Sequence, residues 1–337
     1  MNIGRHAGAL IIVAAAAVGP AVGGAAAAAS AVGNPRDPVT AGICVKGTVA
    51  VGSGPFGAAV NPVTGTVYVT NSHAGTVSVI DGVTNKVEAT IPVGSFPSGV
   101  AADPRTNVIY VTNAVSDTVS VISGTTNRVI ATVKVGTNPL GAAVDPRTNT
   151  IYVSNSFSNT MSVISGQANT VIATVKVGDF PVGVAADPQT NTIYLTQAGR
   201  NAVSVISGKT HAPGAQIGVG RWPYAVTVNP RTDTIYTAND LGNTVSVING
   251  TTNQVTATLK VGTGPVGITA NPPANTIYVA SEQSNTVSAV SGTTHRVTAT
   301  VKVGTVPVGI TADPHNNRIY VANSGSNTVS VLAPCTG

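Results

Sequence analysis

Charge is what this chain has least of. Of 337 residues only 9% are Asp, Glu, Lys or Arg, and only 4% are aromatic. Disordered chains combine low hydrophobicity with high net charge, and a chain with 42% hydrophobic residues and a net charge of +5 is not one of them. Cysteine occurs twice, too rarely for a disulfide-dense scaffold or a four-thiolate metal site. No C-x-x-C-H haem motif, no P-loop and no G-x-S-x-G elbow with a plausible base is present. Helical periodicity is missing from residue 44 onward. What remains is Gly, Thr, Val, Ala, Ser and Asn, the composition of short half-buried strands joined by tight turns.

These residues recur in a fixed register. Tyr68, Tyr110, Tyr152, Tyr194, Tyr236, Tyr278 and Tyr320 are each 42 residues apart. The series Gly52, Gly94, Gly136, Gly178, Gly220, Gly262, Gly304 keeps the same step, as does the proline series from Pro55 to Pro307. Within the copy that starts at Pro97, four strands are legible. Small residues Ser98–Ala102 come first, then an Asp103-Pro104 turn, in which Asp accepts from the following backbone and Pro presets φ. Val108–Asn113 follows with β-branched and aromatic side chains, Thr118–Ile122 alternates with period two, and Arg128–Val135 carries the charge. Four strands per 42-residue repeat, seven times over, predict an all-β, single seven-bladed β-propeller. The Gly/Ala/Val strand should lie innermost, where seven copies converge. The strand with Lys134, Lys176, Lys260 and Lys302 should lie outermost.

Ile109-Tyr110-Val111-Thr112-Asn113 and its six relatives resemble the YVTN-type β-propeller repeat of bacterial secreted and surface-layer-associated proteins. The likeness covers residues 48–332. It implies a scaffold, and a scaffold does not fix a function.

The N-terminus reads as a secretory signal peptide over residues 1–31. Arg5 and His6 precede an apolar run from Ala9, and the small residues up to Ala31 suit a signal peptidase. Residues 32–43 read as a linker and 44–337 as the propeller, with no membrane span once the signal is cleaved. The seventh copy supplies only three strands. Its missing outer strand is present as Thr48–Gly52, so the N-terminal strand should complete the last blade and remove two open edges. The two cysteines flank this seam. In repeat register Cys335 and Cys44 fall three positions apart across a tight turn, which predicts a Cys44–Cys335 disulfide and fits an oxidising compartment.

Comparison of the seven copies locates a candidate site. On one face the Asp and Asn turns repeat closely. On the other, formed by the crossovers between blades and the loops after the Tyr strands, the copies diverge. The largest departures are Asp179, Phe180, Arg200, Arg221, Trp222, Tyr224, Asp240 and Glu282. Trp, Tyr and Arg are frequent binding anchors, so this is the candidate binding patch for a small molecule, a glycan or a protein. Drift in exposed loops, with Trp222 packing on a neighbouring blade, explains the same pattern.

No catalytic residues, metal ligands or cofactor can be assembled. His73, His211, His295 and His315 fall on different turns, and Asp103, Asp145, Asp187 and Asp313 read as turn caps. The basic residues are spread round the ring, whereas a nucleic-acid groove wants clustered cations with interleaved aromatics. The expectation is a secreted, monomeric, non-catalytic binding or scaffolding module. The alternatives are a propeller enzyme of the lactonase or lyase kind, or a binder of anionic polymers such as nucleic acid or cell-wall polymer.

Overall fold

The computed structural model describes residues 42–335. The segments read as a signal peptide and, up to residue 41, as a linker lie outside the described residues. Twenty-eight strands form seven four-stranded antiparallel sheets arranged as a ring. In six sheets the order is sequential, as in Pro97–Asp103, Val108–Asn113, Thr118–Ser123 and Arg128–Lys134. The seventh is completed by Ile43–Ala50, which pairs antiparallel with Thr328–Pro334, Thr48 opposite Ser330. Cys44 and Cys335 are bonded across this seam, with Cα atoms 5.2 Å apart. The closing strand starts at Ile43, one residue inside the segment read as linker, because that side chain drops into the core between the last two blades.

The apolar interior is divided among the joints between blades. Seven clusters each contain one recurrent tyrosine wedged between a blade and the next. Tyr68, for example, packs among Val77, Val79 and Ile91 of its own blade and Ile109, Val111 and Ile122 of the second. Fully burying a large side chain contributes roughly 1.5–3 kcal/mol, so the tyrosine is a principal term at every joint.

The two residues that end the Tyr-x-x-Asn motif have separate tasks. Asn113, wholly buried, donates to the Thr118 and Ser120 hydroxyls of the third strand at 3.1 and 3.0 Å. Its side chain also fills the space beside Gly94, where a Cβ would meet Cγ of Asn113 at 2.6 Å. That contact explains the invariance of the crossover glycine. The hydroxyl before the asparagine ties blades together: Thr112 accepts from the Gly99 amide at 2.8 Å and donates to the Leu140 carbonyl of the next blade at 2.9 Å. Thr70, Ser154 and Thr196 repeat this tie, and Ala238, Ala280 and Ala322 replace it at the other three joints.

On the turn face, Asp103, Asp145, Asp187 and Asp313 accept from backbone amides two residues on, as turn caps do. Where asparagine stands instead, its amide donates across the joint, Asn61 to Asn107 and Asn229 to Asn275, each at 2.8 Å. Arg105, Arg147 and Arg318 donate to backbone carbonyls of the following blade. These basic residues hold turns together.

Candidate functional site

Each crossover turns at one residue with left-handed backbone: Gly54, Phe96, Asn138, Phe180, Trp222, Gly264 and Val306, with φ between 53° and 68°. The preceding blade fixes that conformation. The Phe180 amide donates to Asn159 Oδ1 at 2.9 Å, Trp222 to Asn201 at 2.8 Å, and Val306 to Asn285 at 2.8 Å. Glycine and asparagine adopt this φ cheaply, whereas other residues pay roughly 1–2 kcal/mol. Three aromatics and one β-branched residue therefore sit at positions where the fold alone favours Gly or Asn.

The aromatics form an arc at one mouth of the axial channel. Phe157 and Phe180 lie 6.1 Å apart between ring centroids, and Phe180 and Trp222 lie 5.6 Å apart with planes tilted by 36°. Beneath Phe96, Phe180, Trp222 and Tyr224 is a small buried cluster of Ala114, Leu140, Val182 and Ala198. Trp222 thus packs against its neighbour while its ring stays half-exposed.

The other patch residues fall into two groups. Asp179 and Arg200 pair with each other at 3.2 Å, with side chains 60% and 49% exposed, an arrangement that contributes little to stability. Arg221 is exposed on the rim. Tyr224, Asp240 and Glu282 converge at the mouth, where Asp240 and Glu282 are buried despite their charge. Burial pushes the Tyr224 hydroxyl well above its ordinary value, and the charges of Glu282 and Asp240 push it further in the same direction. Departures from the repeat also reshape the loops here: Ala198–Arg200 and Asp240–Gly242 form single 3-10 turns.

The channel encloses about 170 Å³, lined by Phe56–Ala58 and the corresponding residues of the other blades. This space lies toward the crossover end of the innermost strands, at Leu140–Ala142 in the third blade. Glycine at this inner position in six blades, with Ala225 in the fifth, lets neighbouring strands approach closely, since a Cβ on Gly99 would lie 2.3 Å from the Leu140 carbonyl oxygen. Sequence reasoning missed Phe56 and left Phe157 out of the patch. Phe56 was findable, because its six counterparts are Ser98, Leu140, Val182, Tyr224, Val266 and Val308.

Among the described residues no group of three His, Cys, Asp or Glu side chains is placed to hold a metal ion. No helix among them is long and apolar enough to cross a membrane. Fold and face together define a seven-bladed β-propeller with one regular and one asymmetric mouth. Neither protein-family models nor curated proteins match the sequence. Among solved structures, a chain of Kuenenia stuttgartiensis hydrazine synthase is similar, with a TM-score of 0.76 and 22% identity over 82% of this chain and 95% of that one. At that identity the likeness concerns the fold.

Proposed function

We propose that this protein is a secreted, non-catalytic binding module of the YVTN-repeat type, which engages its ligand with the crossover face at or outside the cell surface. The observation that carries this reading is the contact series Phe157–Phe180–Trp222, which spans successive blades and uses strained backbone at two of its three members. Symmetry and stability would both be served by Gly or Asn there, so the aromatic rings serve something else. A disulfide at the ring seam is compatible with export.

Trp222, the only tryptophan, reports on this face. Its fluorescence should shift saturably with one class among cell-wall glycans, nucleic acids, metals and small metabolites, and Arg221→Ala should abolish the shift. Silence across that panel, with Trp222 shielded from soluble quenchers, would leave packing as the whole role of the arc.

A further inference from the structure

The axial space of about 170 Å³ is walled without a single Asp, Glu, Lys, Arg or His side chain among the described residues. The second residue of each innermost strand sets its upper wall. Phe56, Leu140, Val182, Val266 and Val308 are apolar, and Tyr224 adds a second aromatic ring. Ser98 is the small polar member of the set, and the scaffold already uses its hydroxyl. Wholly buried, that hydroxyl lies 2.9 Å from Thr112 Oγ1 and 3.1 and 3.2 Å from the Pro139 and Leu140 carbonyls.

The backbone beside these residues is engaged in the same way through four blades. The amides of Gly57, Gly99, Gly141 and Gly183 donate to the hydroxyls of Thr70, Thr112, Ser154 and Thr196 at 2.7 or 2.8 Å. Those hydroxyls donate in turn to the carbonyls of Ser98, Leu140, Val182 and Tyr224 in the following blade. A buried water needs roughly two to four polar partners, whereas an apolar cavity of about 150 Å³ stays dry and takes up benzene. The wall is also continuous with the arc above it. Leu140 and Val182 line the space and belong to the buried cluster on which Phe96, Phe180 and Trp222 pack. Ring closure does not dictate the opening, because the scaffold accepts phenylalanine at this position in the first blade and yet carries valine in the fourth, sixth and seventh.

We propose that the channel mouth binds a small uncharged hydrophobic molecule, about the size of one aromatic ring. The proposal rests on the crossover face being the binding face, and it names the chemistry that the centre of that face would select. Removal of apolar surface from water supplies the affinity, and the Phe56 and Tyr224 rings offer stacked or edge-on contact to an aryl ligand. A charged ligand would lose its hydration and meet no counter-ion in the wall.

Methyl NMR of the leucine-labelled propeller, titrated with toluene, tests the proposal. Leu140 stands in the channel wall and Leu241 is exposed on the rim, so the two report separately. The Leu140 signals should shift saturably and ahead of any change at Leu241. Benzoate and benzylammonium should bind at least about tenfold more weakly than toluene. Val308→Phe, which places in the seventh blade the side chain that the first carries at Phe56, should weaken the toluene response at Leu140 at least about tenfold. Should that variant fail to fold, the charge series in the unaltered protein decides alone. Equal affinity for toluene and benzoate, or Leu140 signals that do not move, overturns the inference. A response at Leu241 alone, or a Trp222 shift with the ligand panel while Leu140 is silent, would overturn it and leave the crossover face as a binding face. Silence of all three reporters would remove both readings.

Discussion

The Thr70 hydroxyl donates to the Ser98 carbonyl across the joint between the first and second blades, at 2.7 Å. The same oxygen accepts from the Gly57 amide at 2.7 Å, so one side chain satisfies two buried backbone groups on different blades. Valine has nearly the same shape and none of this capacity. Thr70→Val should therefore destabilise the propeller by about 1–3 kcal/mol, the cost of leaving buried polar groups unpaired. Urea denaturation would measure it. An unchanged midpoint would mean that the joint relaxes around the missing hydroxyl.

Val306 sits at φ 53°, where a β-branched side chain is strained, while its counterpart Asn138 occupies the same conformation at low cost. Val306→Asn should raise stability by roughly 1 kcal/mol, provided that the wall it forms with Phe56, Tyr224 and Val308 tolerates the loss of an apolar side chain. A lower melting temperature would show that wall contacts outweigh the strain. The same substitution at Trp222 should gain backbone ease and lose the ring contact with Phe180, so the pair of variants separates strain from packing.

Ring closure has two parts, and they can be separated. The strand Ile43–Ala50 pairs with Thr328–Pro334, and the disulfide ties the ends of that pairing. Reduction, or Cys44→Ser with Cys335→Ser, should cost about 2–4 kcal/mol, because it frees a loop of sequence separation 291 in the unfolded chain. Strand pairing should keep the ring closed, so the far-ultraviolet circular dichroism of the variant should match that of the parent at low temperature. Loss of native spectrum without denaturant would assign closure to the bond alone.

The repeat made the scaffold legible. A 42-residue register identified the blades, the strand order and the borrowed seventh edge, since each rests on local pattern or on counting. The disulfide was legible for the same reason: repeat register brings Cys44 and Cys335 to within three positions across a turn even though the chain separates them by 291. The site was legible only as broken symmetry. Sequence comparison singled out Asp179, Phe180, Arg200 and Trp222, yet it could not sort them into a ring arc and an exposed Asp179–Arg200 pair. That sorting depends on where neighbouring blades place their loops. Strain at Phe180, Trp222 and Val306 was also hidden, because it is a property of φ, and composition reports only that Gly and Asn share the position.

The recurrent tyrosines set the alkaline limit of the fold. Burial raises the hydroxyls of Tyr68, Tyr110, Tyr152, Tyr194 and Tyr236 to about 12, against about 10 in an unfolded chain. The folded form thus holds these protons more tightly than the unfolded form. Stability from this source is complete below pH 10 and is lost as pH rises from there toward 12. Each tyrosine contributes on the order of 2–3 kcal/mol to that loss, so several together exceed the margin of a typical domain. Ionisation should accordingly arrive as one cooperative event between those limits, with tyrosinate absorbance and loss of circular dichroism rising together. Independent ionisation near pH 10 in a protein that keeps its native spectrum would show that water reaches the blade joints, and the tyrosine wedge would lose its place as a principal term in the core.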